Sequence, residues 1–316
     1  GQFWDSRATG DELGDPLADQ ALGPFLNPVE MANKDSACVV WKVCTDYEAD
    51  FEAVWGAGAC NIAWPSDVVD VCGLAEVELS LNDANRANAD AAYEQRGLSI
   101  AAFERTELFG EFSSKYDQYL ANCLALGGKP DKCAIGEGGK AKKAYLGILT
   151  PLEWRGLQLF MGDNNNDGIL KNSEGAMCAA CHVADWTSAA ANVVVPAWAP
   201  VGLVPPVFTD FTYDNLGVPV NPKIADLAGP QATDLGLGFV VGDLAENGKF
   251  KVMTLRNIGL TAPYAHNGYF ETLLEITHFY SARDVDPTIE PPEYPDTINM
   301  SELGNLGLST ADEEAI

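Results

Sequence analysis

The sequence predicts a mainly α protein, and three stretches carry that reading. "LTPLEWRGLQLFMG" has the clearest helix start in the chain: Thr150 as N-cap, Pro151 at the first helical position and Glu153 placed to close a capping box. "NADAAYEQRGLSIAAFER", residues 88–105, sets Tyr93, Ile100 and Phe103 near one helical face. "ETLLEITHFYSARD" reads as a further helix and carries His278 and Tyr280. A length of 316 residues allows two domains at roughly 150 residues each, and a hydrophobic content of 47% is enough for packed cores.

Taken in order, residues 1 to about 80 read as turn-rich, with short aromatic patches. The 88–105 helix follows, weakened by Gly97, and "SSKYDQYLANC" predicts the next. The domain boundary is expected in "GEGGKAKKAYLGI", just before the Thr150 signal, giving domains 1–147 and 148–316. Residues 187–238 are rich in Pro, Gly and Val and have few helical signals, a composition better suited to wrapping a cofactor than to building a sheet. The final "LSTADEEAI" opens a helix with Ser309 as N-cap and acids in its first turn.

Charge narrows the partners. A formal net charge of −27 repels nucleic acid and anionic membrane surfaces and steers a basic protein inward. No apolar run is long enough to span a bilayer, and no signal peptide is visible. Six of the eight cysteines, Cys38, Cys44, Cys60, Cys72, Cys123 and Cys133, repeat no metal-ligand spacing and suit disulfides. Cys123 and Cys133 flank the loop "CLALGGKPDKC" and are the first expected pair; the other four allow three pairings. Disulfides imply an oxidising compartment, so a periplasmic or extracellular location is expected, with the chain processed or partial.

The remaining two cysteines stand in "AMCAACHVADW". Cys178, Cys181 and His182 form C-x-x-C-H, the attachment signature of c-type haem: two thioethers hold the porphyrin edge and His182 is placed to ligate the iron. For the sixth position the chain offers His266, which reads as a loop histidine with a structural hydrogen bond, His278, expected on an exposed helix face, and five methionines. Just upstream, "DNNNDGILKNSE" fits an EF-hand-like calcium loop. Asp163, Asn165 and Asp167 would give side-chain oxygens, Gly168 the turn, Ile169 a backbone carbonyl and Glu174 a bidentate carboxylate.

The haem motif and its neighbours together resemble a known family. "GQFWDSRA", "QALGPFLNPVEM", "AAFERT", "SKYDQYL", "LTPLEWRGLQLF", "FTDFTYDNLGVPVNP", "GKFKVMTLRNIGLTAPYAHNGYFETLLEITHFYSARD" and "ELGNLGLS" occur in that order. They resemble the bacterial di-haem cytochrome c peroxidases, in particular the MauG-like branch. The resemblance implies two cytochrome c-like domains, each with a c-type haem. The His182 haem would be the electron-transfer one, and the peroxidatic haem would belong to an N-terminal segment outside this chain. It further implies that Trp4 lies between the haems as a relay. Gln20 and Glu30 would stand over the peroxide site, Glu30 moving a proton between the two oxygens, with Pro24 near the same haem. Thr261 and Pro263 would give carbonyls to a calcium ion between the haem domains; the EF-hand-like loop at 163–174 is distinct from that site, would be a second calcium site on its own residue pattern, and looks like an insertion into the family pattern. Tyr280 stands where the peroxidases proper carry a methionine as sixth ligand and the MauG-like branch a tyrosine.

The function expected from the resemblance is reduction of hydrogen peroxide with electrons from a small redox protein, a cytochrome c or a cupredoxin. Two alternatives stand beside it. One is a MauG-like oxidase of a protein or other large substrate that stores oxidising equivalents on both haems. The other is a non-catalytic electron-transfer or structural cytochrome in a homo-oligomer or larger extracellular assembly.

Overall fold

The computed structural model describes residues 1–74, 77–162, 175–189, 195–224 and 233–316. The described chain is mainly helical and divides into two compact units, Gly1–Phe109 and Gly110–Ile316.

In the first unit, α1 (Pro16–Leu26), α2 (Ser36–Asp46), α3 (Glu48–Trp55), α4 (Val68–Cys72) and the long α5 (Asp83–Glu104) surround one core. Leu22, Val40, Phe51, Ile62, Leu79 and Tyr93 fill it. Residues 1–80 thus hold four helices where turns were expected. They are short, and disulfides Cys38–Cys72 and Cys44–Cys60 tie them together, so their apolar residues need not form long periodic runs. Asp35 organises this region. It accepts from the Ala37 backbone N–H as N-cap of α2, from Leu79 N–H at 2.8 Å, and from Arg86 on α5 at 2.6 and 2.9 Å. Burial raises its carboxyl, but the Arg86 guanidinium and the two backbone donors outweigh that and hold it below the usual carboxylate range.

Helix α5 starts earlier than its apolar pattern suggests, because Asn82 caps it through the Asn85 N–H. Gly97, a poor helix former, is explained by packing: a Cβ there would meet Leu22 Cδ2 at 2.9 Å and the Ala18 carbonyl at 3.1 Å. It lets α1 lie close against α5, with Ala18, Ala21 and Leu22 of α1 buried.

In the second unit, α6 (Lys115–Ala125), α7 (Pro130–Ala134), α8 (Gly138–Ala144) and α9 (Pro151–Met161) share a core of Tyr119, Leu120, Cys123, Cys133 and Trp154. The Cys123–Cys133 bond forms as expected, and Tyr145 stacks on Trp154 at 4.4 Å. The second compact unit therefore begins at Gly110, ahead of the boundary expected at residue 148, and this cluster joins α6 to α9. The capping boxes at Ser114 and Thr150 are both formed.

Beyond α9 the described chain is largely irregular, as its Pro/Gly content suggests. Two small antiparallel pairs, β1 (Thr187–Ser188) with β2 (Leu203–Val204) and β3 (Tyr213–Asp214) with β4 (Phe250–Lys251), pin it. Helices α10 (Leu237–Val241), α11 (Leu273–Ala282) and α12 (Thr310–Ala315) complete the unit, with Val218, Tyr264, Phe270 and Phe279 in a second core. Ser309 caps α12.

Helix α12 touches α9 at Gly156, where an added Cβ would stand 1.9 Å from the Ala315 carbonyl oxygen. That oxygen is backbone and cannot rotate away. Gly156→Ala is expected to lower stability by at least about 2 kcal/mol, in the range of core overpacking. Gly139→Ala in α8, where a Cβ meets nothing within 4 Å, should be neutral or mildly stabilising. Thermal melts of the two variants check this, and equal melting temperatures would remove the close-contact argument.

Candidate functional site

The C-x-x-C-H segment is placed by the end of α9. Gly162 ends that helix in the left-handed region, and the Ala176 N–H returns to the Leu159 carbonyl at 3.0 Å. Gly175, at φ +89°, passes so close that a Cβ would lie 2.9 Å from the same carbonyl. A 3-10 turn, Cys178–Ala180, follows, and the His182 N–H donates to the Cys178 carbonyl at 2.8 Å.

Both motif cysteines are free, whereas the other six are paired. Burial pushes the Cys178 thiol up to about 12. Burial, then the carboxylates of Glu302, Asp214 and Asp210, pushes Cys181 up to about 12 as well. Neither thiol is lowered toward neutrality as in a reactive thioredoxin-like couple. Two unpaired, part-buried thiols one turn apart do suit covalent attachment of a haem edge.

His182 is mostly buried. Its Nδ1 lies 2.9 Å from the Phe208 carbonyl. A carbonyl can only accept, so a proton sits on Nδ1, and a ligand role for His182 falls to Nε2. Burial lowers the imidazole below its ordinary value despite the carbonyls of Phe208 and Met253 and the Asp210 carboxylate, which favours the neutral form.

Tyr280, far along the chain on α11, is brought to the same place. Its phenol is pushed up by burial first and then by the nearby Cys178, Cys181 and Asp214. The hydroxyl therefore lies within electrostatic reach of both thiols. The α11 capping box of Thr272 and Glu275 sets the helix start, and the Gly304 N–H on the Tyr280 carbonyl, at 2.7 Å, ties its end to the 302–308 segment.

That segment supplies residues the sequence did not flag. Ligand atoms of Cys181, Asp214 and Glu302 lie within 4.8 Å of one another. Asn299 Nδ2 donates to Asp214 and to Glu302, each at 2.6 Å, which holds the two carboxylates together. Their only sequence signal is membership of "FTYDNLG" and "ELGNLG". The donor set fits a c-type haem: two thiols, one imidazole with a proton held on Nδ1, and a phenol within electrostatic reach of the thiols.

The other histidines are occupied elsewhere. His266 stacks on Phe250 at 3.6 Å, and its Nε2 stands 3.4 Å from Glu293. His278, half-exposed, bridges to Glu313 of α12 at 3.1 Å.

In the first unit, Gln20 and Pro24 sit one turn apart on the face of α1 turned away from the buried Ala18, Ala21 and Leu22. Glu30 is exposed in the turn after α1 and accepts from Asn27 Nδ2 at 2.7 Å. Trp4 is 38% exposed. Among the described residues no hydrogen bond joins Trp4, Gln20 and Glu30 to one another. Thr261 and Pro263 are exposed, and the Thr261 hydroxyl donates to the Ile258 carbonyl. Asp163, Asn165, Asp167, Ile169 and Glu174 lie outside the described residues.

Fold and site define a mainly helical chain whose second unit carries a C-x-x-C-H segment with the donor set of a c-type haem site. Residues 1–123 match the family model of the di-haem cytochrome c peroxidases. The methylamine utilization protein MauG of Paracoccus denitrificans is 30% identical over 320 residues, covering 96% of this chain and 62% of that protein. A cytochrome-c peroxidase, IdrP2, of a Pseudomonas species is 34% identical over 84 residues, 27% of this chain and 19% of that protein. Among solved structures, a point variant of the diheme peroxidase BthA from Burkholderia thailandensis superposes with a TM-score of 0.64 at 22% identity. It covers 100% of this chain and 62% of the BthA chain, and the likeness is one of fold. The chain is thus similar to MauG over nearly its whole length and, over residues 1–123, to the di-haem cytochrome c peroxidase family model, and it spans less than two thirds of MauG.

Proposed function

We propose that this chain is part of a di-haem c-type peroxidase that reduces hydrogen peroxide with electrons from a small redox protein. The observation that carries the reading is the convergence of Cys178, Cys181, His182 and Tyr280 on one place, in a chain related to such peroxidases. The haem, when bound, supplies one-electron redox chemistry. Cys178 and Cys181 would hold it by thioethers, His182 would ligate the iron through Nε2, and Tyr280 is the candidate second ligand. A second haem, carried outside these residues, is the peroxide site.

At that second site the first unit contributes Glu30 and Gln20. Glu30, which accepts from Asn27, would serve there as the general acid–base that moves a proton between the two oxygens of peroxide. Gln20 donates a hydrogen bond there, and Trp4 relays electrons. Two electrons and two protons turn each peroxide into two waters. The acidic surface suits a basic donor such as a small cytochrome. Carbonyls of Thr261 and Pro263, and the 163–174 loop, are the proposed calcium sites. The three disulfides support a periplasmic or extracellular location. Among the described residues no helix is long and apolar enough to cross a membrane.

The second reading, oxidation of a protein or other large substrate, is favoured by one observation: a tyrosine, not a methionine, stands beside the thiols. Steady-state turnover of peroxide by the full-length protein with a reduced small cytochrome separates the two. Peroxidase action predicts sustained turnover that falls by roughly 100-fold or more in Glu30→Gln, the usual contribution of a general acid–base group. No turnover with any small donor, together with peroxide-dependent oxidation of a larger substrate, would transfer the assignment to the second reading.

A further inference from the structure

Three consecutive backbone carbonyls run beside His182, and each is held by a different side chain. The Phe208 carbonyl accepts from His182 Nδ1 at 2.9 Å, Val207 from the Thr254 hydroxyl at 2.5 Å, and Pro206 from Arg256 Nε at 2.7 Å. Thr254 and Arg256 belong to one short run after β4. One residue further on, the Thr209 hydroxyl donates to the Val252 carbonyl, so the two strips are latched along their length. Arg256 is itself anchored. Its Nη1 donates to both oxygens of Asp117, at 2.9 and 2.7 Å, and Asp117 is 1% exposed. The Ser114 capping box fixes that carboxylate at the start of α6.

We propose that the buried Asp117–Arg256 pair is a positioning device for His182, acting through the Pro206–Phe208 carbonyls. It rests on the reading that His182 ligates a haem iron. The physical reason is the nature of the segment. "VPPVF" is irregular and has few backbone donors, so it cannot hold its own carbonyls in a ladder. The direction of the Phe208 carbonyl sets the plane of the imidazole, and the strength of its bond to Nδ1–H sets how strongly Nε2 donates. A guanidinium offers a fixed fork that can bind a carboxylate and a carbonyl at once, whereas a lysine ammonium on a flexible stem is a point charge. The ring centroids of Phe112 and Phe208 lie 4.7 and 5.5 Å from the guanidinium carbon and pack against it.

A merely structural pair would change melting behaviour and leave the iron alone, so the test reads the iron. In the full-length, haem-loaded protein, Arg256→Lys, Asp117→Asn and Thr254→Val are compared with the parent. Intact mass and the pyridine haemochrome spectrum first establish haem at Cys178 and Cys181. A parent without it overturns both this proposal and the reading beneath it. With haem present, Arg256→Lys and Asp117→Asn should shift the ferric electron paramagnetic resonance g-values of this haem and raise its midpoint potential, because a weaker bond to Nδ1 makes Nε2 a poorer donor. Thr254→Val should move both in the same direction by less. Haem-replete variants with unchanged g-values and potential, whatever their melting temperatures, overturn the proposal. Should the two charge variants fail to fold, Thr254→Val, which removes one hydroxyl at an exposed position, decides alone: an unmoved spectrum and potential refute the device.

Discussion

Replacing Cys178 and Cys181 together with alanine is expected to leave this chain without covalent haem. Every other cysteine is committed to a disulfide, so no second thiol pair among the eight can take over the attachment. The intact mass should fall by one haem beyond the loss of two sulfurs, and the alkaline pyridine spectrum should lose one c-type equivalent. His182 would remain in place, because its Nδ1 anchor and its backbone bond to Cys178 do not involve the thiols. Some loosely held haem could then persist, but acid–organic extraction would remove it. The effect on donor-driven turnover should be loss to background, since electrons would have no entry at this unit. Retention of one full covalent equivalent at this chain would show that the attachment assignment is wrong.

Exchanging Tyr280 for methionine should raise the midpoint potential of the same haem. A phenolate is a hard anionic donor that stabilises ferric charge, whereas a thioether favours the ferrous state. Axial ligands command a span of roughly 0.8 V, and a rise on the order of 0.1–0.3 V is expected here. Tyr280→Phe separates ligation from packing. If Tyr280 only fills space beside the thiols, phenylalanine preserves the site and the potential stays put. If the oxygen is on iron, the ferric spectrum changes in spin state. His266 and His278 are poor replacements, since the first is stacked on Phe250 beside Glu293 and the second is tied to Glu313. A potential unchanged in both variants would remove Tyr280 from the iron and, with it, the observation favouring oxidation of a large substrate.

How far the chain could be read in advance varied with the range of the forces involved. Helix α9 was legible to the residue, because Thr150, Pro151 and Glu153 carry their cap locally. The Cys123–Cys133 bond was legible too, since a loop of separation 10 nearly dictates its own closure. The four helices before residue 80 were missed. They are held by Cys38–Cys72, Cys44–Cys60 and the Asp35–Arg86 pair, contacts between residues far apart in sequence that leave no periodic trace. Gly97 looked like a defect in α5 until α1 was seen against it. The expected boundary before Thr150 followed a composition change, whereas the packing of Tyr119 and Cys123 against Trp154 joins both sides.

By itself the sequence determined the chemistry on offer. It held one C-x-x-C-H, six further cysteines in a pattern suited to disulfides, an acidic surface, and the blocks that relate the chain to di-haem peroxidases. Each of these is a property of residue type and short spacing. The tertiary structure alone decided what meets the haem motif: the Phe208 carbonyl on His182, the Tyr280 phenol beside the thiols, Asp214 and Glu302 joined through Asn299, and Arg256 bracing Pro206. Backbone carbonyls have no letter in a sequence. Which one points at an imidazole depends on how an irregular, proline-rich strip is pinned by side chains from elsewhere in the fold, a matter of three-dimensional hydrogen-bond satisfaction.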